Sequence, residues 1–152
     1  MTQKIRTFLW FNDDLEEAAK FYVSVFKNSR LGEMQRGPDG KVVGGTFVLE
    51  GQEFLGLNGG PAFKFTEAIS LFVDCKDQKE VDELWSKLTA GGEESQCGWL
   101  KDKFGLSWQI VPSVLGELLG DKDPARAKRA LDAMLGMQKL DIAALQRAAD
   151  GR

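Results

Sequence analysis

The side chains best suited to meeting a small molecule recur in four short apolar stretches. Arg6, Phe8 and Trp10 stand in the first, Phe54 and Asn58 in the second, Ser70 and Phe72 in the third, and Ser107 and Gln109 in the fourth. Residues two apart along a strand share a face, so each stretch presents these groups together, with Leu55 and Leu57, Trp108 and Ile110 turned toward covering helices. Aromatic rings offer a planar or hydrophobic guest a broad contact area, and the Arg6 guanidinium would meet an anionic or carbonyl group. The same rings could instead fill an interior with no guest. An inward-facing arginine favours the ligand reading, because an unpaired buried guanidinium is costly.

Reactive groups are few. Histidine is absent, which removes imidazole acid–base work, Ser-His and Cys-His pairs and every His-containing metal site. Cys97 has only Lys101 and Lys103 nearby in sequence to depress its pKa, so it reads as a structural thiol, and Cys75 as more inert still. Asp13, Asp14, Glu16 and Glu17 suit helix capping and dipole complementarity better than paired-carboxylate catalysis. Lys101-Asp102, just before a Phe104-Gly105 turn, reads as a solvated strand end.

The elements that must position these groups follow from the hydrophobic pattern. Strands are expected at 5–11, 31–36, 42–50, 53–58, 69–73, 93–97, 99–102 and 107–111, with turns at 37–40 and Gly51-Gln52. A helix opens at Asp13, with Leu15, Ala18, Ala19, Tyr22 and Phe26 as its stripe. A second opens at Asp77, with Val81, Leu84, Trp85 and Leu88. Asp13 to Asp77, Glu16 to Glu80 and Phe21 to Trp85 are each 64 positions apart, while Phe11 and Val73 are 62 apart, implying a connector two residues longer in the second half. One β-α-β-β-β unit is therefore repeated, and neither copy buries its sheet alone, which predicts a cleft between the halves. Helices opening at Ser113, Asp123-Pro124 and Asp141 follow, read as a packing accessory or alternatively as a dimer contact or lid.

Composition sets the frame. The 152 residues, 43% hydrophobic and 28% charged, suit a single soluble domain spanning 1–152. A net charge of −3 and a pI near 5.1 give no basic footprint for nucleic acid or an anionic membrane. Two cysteines outside any CxxC pair, and the lack of a signal pattern or spanning stretch, point to the cytoplasm.

Over nearly the whole length to Pro112 the chain resembles the vicinal oxygen chelate superfamily, which includes glyoxalase I, bleomycin-resistance proteins and extradiol dioxygenases. FVLEGQEFLGLNGGP at 47–61, GWLKDKFGLSWQIVP at 98–112 and the trailing MQKLDIAAL are similar to the PhnB-like branch, described as the 3-demethylubiquinone-9 3-methyltransferase domain. The resemblance implies an α+β fold. Paired βαβββ modules, 1–60 and 68–112, would form an incompletely closed eight-stranded mixed barrel with outer helices, followed by a helical extension at 113–152. It also implies homodimers, sometimes with modules exchanged about a hinge at 59–67. Active members commonly hold a divalent metal from the first and last strand of each module. Those positions correspond here to Arg6, Phe54 or Leu55, Ala68 and Gln109, a set from which only Gln109 could ligate. Neither a metal nor another cofactor is therefore expected.

Three functions follow. The first is metal-independent binding of a small aromatic or amphipathic molecule, as in sequestration. The second is an enzyme, methyl transfer being the family's description, although the strand–helix junctions FNDDLEE and DCKDQKE lack the glycine turn typical of nucleotide-type donors. The third is a non-enzymatic assembly subunit.

Overall fold

The computed structural model describes residues 3–152, which divide into two compact units, one running to Phe65 and the other Thr66–Arg152. In the first, β1 (Thr7–Phe11), α1 (Leu15–Val25), β2 (Arg30–Arg36), β3 (Val42–Leu49) and β4 (Gln52–Asn58) give a sheet of order β1-β4-β3-β2. Only the β1–β4 pair is parallel. Leu15, Ala18, Ala19, Tyr22 and Val25, spaced three or four apart, form the buried stripe of α1. Under it lie Phe47 and Phe54, stacked at 5.3 Å, with Tyr22 tilted over Phe47. Gly56 sits on this side because a Cβ there would lie 2.6 Å from Leu15 Cδ1.

In the second unit, β5 (Leu71–Cys75), α2 (Gln78–Thr89), β6 (Glu93–Glu94), β7 (Trp99–Lys101) and β8 (Ser107–Pro112) repeat the pattern as β5-β8-β7-β6. Val81, Leu84, Trp85 and Leu88 are the buried stripe of α2, and Leu100, Trp108 and Ile110 are buried in the sheet. Then come α3 (Ser113–Leu119), α4 (Pro124–Leu135) and α5 (Ile142–Ala149), the last two capped by Asp123 and Asp141. They enclose a core of Val111, Leu115, Leu118, Ala130, Leu140, Leu145 and Ala149. Gln78 ties this segment to α2, donating to the Leu140 carbonyl and accepting from the Ile142 N–H. The helical extension is thus built into the second unit.

The expected α+β class holds, as two four-stranded mixed sheets among the described residues. Several finer expectations are corrected. β1 and β5 are 64 positions apart at both ends, Thr7 to Leu71 and Phe11 to Cys75, so the fifth strand lies two residues later than its hydrophobic run suggested. The strand expected at 93–97 stops at Glu94, and the chain turns through Cys97 at φ 61°. The two-residue hairpin turn is Glu50-Gly51, both at positive φ, as a primed turn requires. The N-cap of α1 is Asp14, whose side chain makes no capping bond; Asn58 Oδ1 accepts from the Leu15 N–H instead.

Candidate functional site

The open face of the second sheet follows from its register. Across β6, β7 and β8 it aligns Glu93, Lys101 and Ser107, and one step along the strands it aligns Trp99, Gln109 and, on β5, Phe72. Phe72 is 55% exposed and Gln109 half-buried, its amide donating to Ser70 Oγ at 2.9 Å. Ser107 is 1% exposed, and its Oγ has no hydrogen-bond partner among the described residues. A concavity of about 390 Å³ opens over this region, lined by Glu67, Glu93, Ser95, Trp99, Lys101 and Ser107 among others. The Lys101 ammonium pairs with Glu67, a contact that holds the Glu67 carboxyl below its ordinary range and raises Lys101.

The corresponding face of the first sheet is more apolar. Phe8 and Leu55 are paired in register, as are Trp10 and Leu57, so these four share a side opposite the helix. Phe8 is 56% exposed. Trp10 is half-buried by its own unit: its indole donates to the Gly60 carbonyl, and its ring meets Phe63 edge-on at 4.9 Å. Arg6 precedes the strand, is exposed, and pairs with Glu53.

The structure therefore divides the nine sequence-selected residues. Phe8 and Trp10 share one open face, Phe72, Ser107 and Gln109 lie on the open face of the other sheet, and Ser70 just precedes its strand β5. Phe54 and Asn58 belong to neither: strand alternation was anchored one residue out in β4, and both face the helix. Asn58 is consumed there, bonding the Leu15 N–H and the Val42 carbonyl. Arg6 already has a carboxylate partner, which weakens the argument from an unpaired guanidinium.

Sequence reasoning missed Trp99, which shares the face of Gln109, and the pairing of Glu67 with Lys101; counting two along from Gln109 through its hairpin partner would have found the former. It also misplaced Asp102. This carboxylate is 3% exposed, accepting from the Phe104 and Leu106 N–H groups and from the Trp108 indole, so it is a buried clasp and not a solvated strand end. Cys75 is buried, and desolvation pushes its thiol up to about 12, in keeping with an inert thiol.

For the metal positions implied by resemblance, β1–β4 register pairs Phe8 with Leu55 and β5–β8 register pairs Phe72 with Gln109. Arg6 and Ala68 lie outside the strands. Three of the four strand positions carry hydrocarbon, and Gln109 offers a neutral amide. No cluster of three or more metal-ligating Cys, Asp or Glu side chains occurs among the described residues.

Comparison with known proteins gives a consistent picture. The family described as 3-demethylubiquinone-9 3-methyltransferase matches residues 3–111. The PhnB protein of Bacillus cereus, which carries the same description, is 36% identical with a TM-score of 0.70, over 73% of this chain and 100% of that chain. Protein PA1353 from Pseudomonas aeruginosa shares the fold at 17% identity, TM-score 0.59, over 73% of this chain and 98% of that chain. So does the fosfomycin resistance protein FosX from Listeria monocytogenes, solved with Mn(II) and sulfate, at 17% identity and TM-score 0.53, over 71% of this chain and 90% of that chain. No curated protein matches significantly. No helix among the described residues is long and apolar enough to cross a membrane.

Proposed function

We propose, for a chain that belongs to the 3-demethylubiquinone-9 3-methyltransferase family and hence to the PhnB-like branch of the glyoxalase and bleomycin-resistance superfamily, that it binds a small aromatic or amphipathic molecule without a resident metal. The observation that carries this reading is the orphaned hydroxyl of Ser107 at the wall of a concavity, on the face that also holds Trp99, Phe72 and Gln109. Buried polar atoms in folded proteins are almost always paired, so an unpaired one beside open space fits a group that a guest completes. Phe8 and Trp10 supply apolar surface on the open face of the first unit. Phe54 and Asn58 drop out of the binding set, and Arg6 contributes only if a ligand displaces Glu53.

Metal independence rests on donor chemistry: one neutral amide among hydrocarbon side chains does not hold a divalent cation against water. Elemental analysis of protein purified without added metal is the check, and stoichiometric divalent ion overturns it. Ligand binding is tested by a thermal-shift screen of aromatic compounds. A guest at 100 times its dissociation constant adds about 2.7 kcal/mol of stability, and its shift should shrink in Phe72→Ala. Silence across the whole library sinks the binding reading.

The family's description favours a second reading, methyl transfer. One N–H at the start of each of α1 and α2 is already taken, Leu15 by Asn58 and Glu80 by Asp77, and neither strand–helix junction carries the glycine turn of a nucleotide-type donor site. Calorimetric titration with S-adenosylmethionine separates the two, heat release favouring the enzyme. Homodimerisation, which the superfamily implies, is part of the same proposal, and a monomer in sedimentation at micromolar concentration removes it.

A further inference from the structure

We infer that the concavity of the second unit takes a small organic cation, an ammonium group joined to a flat apolar body, an assignment that rests on the small-molecule reading above and names its chemical class. Two carboxylates, Glu67 and Glu93, face it against one ammonium, Lys101, while Glu94, next along β6, turns to the helix side, where its carboxylate accepts from the Trp85 indole at 2.6 Å. The ammonium is already committed to Glu67. The wall therefore carries a surplus of negative charge, with exposed Glu93 one register step from Lys101 and two from Ser107 along the same row. An anionic guest would face repulsion here, and a neutral one would leave the surplus uncompensated.

Two further features select among cations. Ser107 Oγ, buried and unpartnered among the described residues, is an acceptor that an ammonium N–H satisfies and that a bare inorganic ion would not complete with a single oxygen. Trp99, half-buried on the same face, offers an indole ring to an aryl body or to the cation itself. The volume, about 390 Å³, lies in the lower part of the range that small-molecule pockets occupy.

The test uses the full chain and three probes on one phenylethyl frame, 2-phenylethylammonium, 2-phenylethanol and 3-phenylpropanoate, titrated by calorimetry and by tryptophan fluorescence. The ammonium should bind about tenfold tighter than the alcohol, the carboxylate should bind weakest, and added salt should weaken only the ammonium. Glu93→Gln, an exposed and nearly isosteric change, should cost the ammonium about fivefold and leave the alcohol unmoved. Ser107→Ala should weaken the ammonium without loss of folded signal in circular dichroism. If the alcohol binds as tightly as the ammonium and Phe72→Ala weakens both, the cation assignment falls while small-molecule binding stands. If none of the three probes binds and the aromatic library is also silent, both fall. Preference for the carboxylate overturns the charge argument outright.

Discussion

The two modules share one strand order and one register logic, yet they dispose of their polar groups in opposite ways. In the first, the polar groups around the β1–β4 pair are consumed by the fold. Asn58 closes the start of α1, Arg6 and Glu53 neutralise each other, and the Trp10 indole holds Gly60. In the second, Asp102 takes the structural burden on the helix side, and the open face retains an unpartnered hydroxyl, an amide and surplus carboxylate. A duplicated backbone needs only matched hydrophobic periodicity, so side chains on the open face are free to diverge. The chemistry has collected in the copy whose strands β6 and β7 are shortest, two and three residues against seven and eight for β2 and β3.

The sharpest contrast is between two phenylalanines. Phe54→Ala removes a ring stacked in the helix-side core and should cost about 3–5 kcal/mol in denaturant unfolding. Phe72→Ala trims a ring 55% exposed and should change stability by no more than about 0.5 kcal/mol while weakening ligand. Equal losses at both would mean the open face is packed core, and the distinction between consumed and available faces would collapse.

Asp102→Ala comes next. It strips the acceptor from two backbone N–H groups and one indole in a buried setting, and about 3 kcal/mol of destabilisation is expected in the same unfolding measurement. The counterpart in the first module is Asn58→Ala, which leaves the Leu15 N–H and the Val42 carbonyl unpaired at a helix start and should cost about 1–2 kcal/mol. If ligand affinity fell with Asn58→Ala at unchanged stability, Asn58 would return to the binding set.

These residues also mark what periodicity could and could not convey. The helix stripes, the duplicated β-α-β-β-β order and the caps Asp77, Asp123 and Asp141 were legible because each depends on neighbours within a turn or a strand pair. Faces on β1 and β5 were legible because the more exposed residues recur at every second position, and on β8 because Ser107 and Gln109 alternate with Trp108 and Ile110. The middle of β4, FLGL, is entirely apolar or glycine, so alternation there has two equivalent phases; the register Phe8 to Leu55 and the contact at Gly56 choose between them. Asp102 and Glu67 were misread or missed for a related reason, since their partners are set by a turn and by a side-chain pairing 34 residues away, neither of which a local pattern encodes.

Ser107→Ala carries a small effect and the most telling sign. A buried hydroxyl lacking a partner costs the folded state its desolvation without return, so replacing it with a methyl should stabilise the unliganded protein, by about 1 kcal/mol in chemical denaturation. Almost every other substitution on this sheet should move stability the opposite way. A gain in stability accompanied by weaker binding of 2-phenylethylammonium identifies Ser107 as a group the second module keeps unsatisfied for a guest to complete. A loss of stability instead means that the hydroxyl is already satisfied in the free protein, and the open face of the second module would then be as fully consumed as that of the first.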